Sequence, residues 1–111
     1  MHLLLIHQNF PGQFRQLAPA WLAAGHQVTA IGCREDPPQG TQWIGLRYWS
    51  YRADDPANPH GPSCRQRGQA LAQLCHHLFS QDRAPDVVVA HSAWGEALHL
   101  RNVLPQTALV I

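Results

Sequence analysis

The chain contains no lysine; all eight of its basic side chains are arginine. That absence removes Schiff-base chemistry and the kind of phosphate loop that carries a lysine. Three cysteines (Cys33, Cys64 and Cys75) lack any short metal-type spacing, and an odd number gives no complete disulfide framework. Reduced thiols in a cytoplasmic setting are the expectation. No Gly-x-Gly-x-x-Gly is present, so a dinucleotide fingerprint is missing, and Asp36 lies too deep in a turn-rich segment to stand in for an acidic ribose ligand. No apolar run has membrane-spanning length, and the N-terminus shows neither a basic region nor a cleavage site. Charge is scarce: 14% of residues are charged, the net charge is +1, and the arginines are scattered, which argues against nucleic acid or an acidic membrane as partner.

What is present is apolar patterning. With 111 residues and 45% apolar content the chain has material for one core and one domain. Residues 3–6 ("LLLI") form a continuous apolar run, as in a strand covered on both faces. From Gln13 the period changes: Phe14, Leu17, Ala18, Trp21 and Leu22 mark one helix face. Pro19 interrupts it and demands either a kink or a later helix start. Gly25 reads as the helix stop and residues 27–31 as the second strand. "REDPPQGTQ" then leaves little room for a crossover helix before a third strand near residues 44–49.

The long loop "RADDPANPHGPS" precedes a second helix, with Cys64, Gly68, Leu71, Ala72, Cys75, Leu78 and Phe79 on one face. Ala84-Pro85 ends it, and "DVVVA" is another buried strand. Ser92 can cap a third helix running to about Leu104, Pro105 closes that helix, and residues 107–111 begin a last strand. The order is that of an α/β, Rossmann-like doubly wound, mostly parallel sheet with helices on both faces. The chain stops inside the apolar run "ALVI", which suggests that residues 1–111 are one domain of a longer protein.

In such a sheet the loops at the strands' carboxyl ends share one edge, and ligands bind there. The edge receives "HQNFPG", "RADDPANPHGPS" and "HSAW". Gly12 can admit a ligand phosphate to the backbone, and Asn9 and Gln13 can hydrogen-bond sugar hydroxyls; the plain alternative is a turn in which Pro11 and Gly12 only set dihedral angles. His91 leaves the "DVVVA" strand at the same edge with Ser92 and Trp94. Its imidazole can orient a hydroxyl or act as a base, or else be satisfied by a local carbonyl. Trp94 offers a platform for a sugar ring or simply packs. His76 and His77 look like a metal pair, but adjacent helix positions do not converge on one ion, so no metal site is expected.

"HLLLIHQNFPGQFRQLAPAWLAAGHQV" together with "PDVVVAHSAWGEALHLRNVLP" resembles the N-terminal half of bacterial family 4 glycosyltransferases. The resemblance implies a GT-B architecture, with two Rossmann-like domains across a cleft and the sugar nucleotide held mainly by the second. It implies that this acceptor-side domain brings Gly12 and Gln13 near the donor phosphates and His91 near the transferred sugar. Asn9, Gln13, Ser92 and Trp94 are then the residues expected to shape the pocket. Many relatives carry two glycines in that turn, whereas here Pro11 precedes the single Gly12. The implied function is retaining transfer of a hexosyl group from a nucleotide-sugar, itself a substrate, to a hydroxyl acceptor. No cofactor and no metal are implied, and the domain is expected to be inactive without the donor-binding one. The alternative is a noncatalytic Rossmann-like module that binds a nucleotide or a partner protein.

Overall fold

Successive side chains point to opposite faces of a strand, so a continuous apolar run buries both, and the first run here does so completely. In a computed structural model describing residues 1–51, 64–80, 84–90, 104 and 107–110, β1 (His2–Ile6) is buried at all five positions. It lies between β2 (Gln27–Gly32) and β4 (Val87–Ala90), with β3 (Arg47–Ser50) and β5 (Ala108–Val110) at the margins. Every pairing is parallel, and the strand order is β3-β2-β1-β4-β5. The chain therefore winds outward from β1 to β3 and returns to the other side of β1 through β4. That makes the β1/β4 boundary the switch point of a doubly wound sheet.

Two cores follow from the alternation. Leu3, Leu5, Val28 and Ala30 face one side, where Phe10, Phe14, Ala18 and Trp43 cover them. Leu4, Ile6, Ile31, Val88 and Ala90 face the other, under Leu71 and Cys75 of α2 (Cys64–Phe79). Full burial of each large aliphatic side chain contributes about 1.5–3 kcal/mol before ordering entropy is subtracted. Helices thus cover both faces, and the Rossmann-like arrangement read from the sequence is the observed one.

Pro19 decides where the first helix begins. The apolar period runs back to Phe14, but α1 spans only Leu17–Ala23, with a separate 3-10 turn over Gly12–Phe14. Pro19 is thereby the third helical residue, where a missing N–H costs no intrahelical bond. The later start, not a kink, is how the chain accommodates it. At the far end Gly25 N–H bonds to Leu22 C=O and His26 N–H to Trp21 C=O, the paired bonds of a Schellman stop.

The β2–β3 crossover does without an α-helix. A 3-10 turn at Thr41–Trp43 takes its place, and Trp43 supplies the buried surface a helix would have brought. Asp86, the residue before β4, does more than lead into the strand. Its carboxylate accepts the His2 backbone N–H at 2.7 Å while its own N–H bonds to His2 C=O at 2.8 Å, locking the amino ends of β1 and β4. The expected third helix from Ser92 and the loop at residues 52–63 lie outside the described residues.

Candidate functional site

β1 delivers the chain to the carboxyl edge at His7, and the turn that follows is anchored before it is exposed. Phe10 is 1% exposed and stacks on Phe14 at 6.1 Å, with Trp43 and Tyr48 at 5.8 and 5.9 Å on its other sides. The aromatic therefore plugs the turn into the core. Phe10 N–H bonds to His7 C=O and Phe14 N–H to Pro11 C=O, closing two successive tight turns. Asn9 and Gln13 are left exposed, with Gly12 half-buried between them. The structure brings these three sequence-predicted residues together on one turn.

Gly12 is required for two reasons. Its φ is +43°, a conformation that L side chains rarely adopt. A Cβ there would also stand 2.6 Å from the His7 ring. The imidazole itself is oriented: Nδ1 accepts the Asn9 N–H at 3.0 Å, and the ring meets Phe14 edge-on at 6.5 Å. In the neutral ring an accepting Nδ1 leaves the proton on Nε2. Sequence reasoning passed over His7, although the rule that singled out His91, a histidine leaving a strand at the carboxyl edge, applies to it equally.

His91, Ser92 and Trp94 lie outside the described residues. The strand before them is described: Ala90 pairs with Ile6, so the chain reaches position 91 from the strand beside the one that ends at Ile6.

The loop leaving β2 is tied to the same turn. Cys33 N–H bonds to Gln8 C=O at 2.8 Å, and the Tyr48 hydroxyl donates to Arg34 C=O at 2.6 Å. Burial raises the Tyr48 pKa above its usual value; Cys33 adds to the rise and Arg34 opposes it. Gly32 makes the approach possible, because a Cβ there would lie 2.9 Å from the Tyr48 hydroxyl and 3.0 Å from both His7 C=O and Phe10 Cβ. Gln8 Oε1 is buried without a hydrogen-bond partner among the described residues, an acceptor whose satisfaction is worth about 1–3 kcal/mol.

Between turn and loop lies a cleft of about 590 Å³, floored by Phe10, Pro11, Pro37 and Pro38 and edged by Arg15, Arg34, Glu35 and Asp36. A second cavity of about 450 Å³ opens at the opposite edge of the sheet. There His2 Nε2 and Thr29 Oγ1 satisfy each other at 2.8 Å, and Asp86 is already engaged by the His2 backbone. Chemistry points to the carboxyl edge. Among the described residues no group of three or more His, Cys, Asp or Glu is placed to hold a metal ion, and His76 and His77 are both exposed. Among those residues, too, no helix is long and apolar enough to cross a membrane.

A family model, that of the glycosyl transferase family 4 group, matches residues 24–111. The matched stretch includes "PDVVVAHSAWGEALHLRNVLP" and begins downstream of "HQNFPGQFR". No curated protein matches the chain.

Proposed function

The chain belongs to the glycosyl transferase family 4 group, and from that premise we propose that it is the acceptor-side domain of a retaining, nucleotide-sugar-dependent hexosyltransferase. The observation that carries this reading is the register Ile6–Ala90 at the switch point. It starts the Asn9–Gly12–Gln13 turn and the segment opening with His91 from neighbouring strands, where open α/β sheets bind ligands.

On this reading transfer breaks the bond between the anomeric carbon and the nucleoside diphosphate and makes one to an acceptor hydroxyl oxygen. The hydroxyl proton leaves with the diphosphate. Backbone amides at Gly12 and Gln13 face the charge that develops on the leaving group, and such preorganised donors act most strongly when water is excluded. His91 orients or polarises a sugar hydroxyl. Asn9, Ser92 and Trp94 shape the acceptor pocket. Neither a metal nor a further cofactor takes part. A separate donor-binding domain holds most of the nucleotide, so the 111-residue chain alone is inactive.

Nucleotide release is the test. The complete polypeptide, offered a panel of nucleotide-sugars with sugar acceptors, is expected to release nucleotide with retention of anomeric configuration, and the isolated chain to release none. Turnover by the isolated chain, or inverted product, contradicts the proposal.

A further inference from the structure

The cleft between the β1 turn and the β2 loop lies on the opposite flank of β1 from the switch point, because β2 and β4 pair with β1 on its two sides. Its walls are fixed. Phe10 is wedged among three rings, Tyr48 holds the Arg34 carbonyl, and Cys33 is bonded to Gln8. Its polar groups are free. Among the described residues the side chains of Arg15, Arg34, Glu35 and Asp36 make no hydrogen bond or ion pair, and all four are exposed. A cleft with a pre-set apolar floor and a few unengaged polar groups on its rim has the composition of a ligand site.

The charges narrow the ligand class. Two guanidinium groups and two carboxylates line the cleft, so its formal charge sums to zero and carries no overall bias toward an anion. Guanidinium only donates and ionised carboxylate only accepts. A ligand that satisfies both must carry many groups able to do either, and hydroxyls do. Phe10, 1% exposed, offers no free face, so the apolar surface open to a ligand is that of Pro11, Pro37 and Pro38, whose rings suit the C–H faces of a saturated ring. Adjacent strands are about 4.8 Å apart. The cleft is thus roughly one or two sugar rings away from a hydroxyl reacting at the β1/β4 boundary.

Resting on the transferase reading above, we infer that this cleft is a second acceptor subsite for a neutral, polyhydroxylated ring, and that the acceptor is an oligosaccharide and not a single sugar. Arg34 and Glu35 bind that ring from the β2 loop, Arg15 from the β1 side.

The test is a glycan array read with the purified chain, carrying neutral mono-, di- and trisaccharides beside sialylated and sulfated ones. Neutral di- or trisaccharides are expected to bind at least tenfold more tightly than the matching monosaccharides. Arg34→Ala and Glu35→Gln each weaken that binding about tenfold, the scale of one lost charge-assisted hydrogen bond. Both side chains are exposed, so an unchanged circular dichroism spectrum confirms the variants' fold. Equal affinity for monosaccharides, binding confined to anionic glycans, indifference to both substitutions, or no binding to any neutral glycan overturns the inference. Nucleotide release by the complete polypeptide judges the transferase reading separately, so either can fail while the other stands.

Discussion

The imidazole of His7 occupies the space in which a side chain at position 12 would have to stand, 2.6 Å from the ideal Cβ of Gly12. The two residues are a matched pair, since the ring covers the turn only because the glycine leaves room for it. Gly12→Ala is therefore expected to destabilise the fold by about 1–3 kcal/mol, combining left-handed backbone strain with the steric clash. His7→Ala in the same chain should recover the clash part and leave the φ strain. Urea denaturation of the four members of the cycle reads the coupling, and strictly additive losses would contradict it.

Asp86 staples the first residue of β1 to the entrance of β4. Replacing it with alanine removes a charge-assisted acceptor and is expected to cost about 1–2 kcal/mol, the exposed position placing it at the low end of such bonds. Asp86→Asn keeps an acceptor and should cost less. Thermal melts of both variants check the order.

Cys75 is fully buried, and burial pushes its thiol from 9.0 up to about 12. The unfolded chain releases that proton near pH 9 while the folded chain keeps it. Stability is thus whole below pH 9 and falls between pH 9 and 12, by about 1.4 kcal/mol per pH unit for this one group. Tyr48, also raised, adds in the same direction. Cys75→Ala should flatten the alkaline limb of a stability–pH curve, and a curve unchanged in slope would exclude the thiol as its cause.

On the transferase reading proposed above, His91→Ala in the complete polypeptide is expected to lower turnover about a hundredfold, the scale for losing one positioned polar group. Steady-state kinetics at saturating donor and acceptor measure it. A rate equal to wild type would reduce His91 to a packing residue.

The central strands were legible because double-sided burial writes a continuous apolar run, as in "LLLI" and "VVVA". β3 was harder to place, since Arg47, Trp49 and Ser50 are exposed and no apolar run marks them. Pairing with β2 sets its position, three residues beyond the expected start. The turn was visible as Pro-Gly, yet the reasons for its glycines were not. His7 lies five residues before Gly12, and the atoms that crowd Gly32 come from residues 7, 10 and 48. Such approaches depend on the assembled sheet and leave no local signature. The cleft beside Arg34 was hidden for the same reason: "REDPPQ" reads only as a polar, turn-rich segment until the phenol of Tyr48 pins it.

β1 is the one described strand bonded on both sides and buried along its whole length, while β3 has a single neighbour among the described strands and is mostly exposed. Loosening of the domain accordingly begins at the outer margin and reaches the middle last. The turn at Gly12 hangs from the stiffest part of the molecule, so warming frays the periphery long before it reaches that turn.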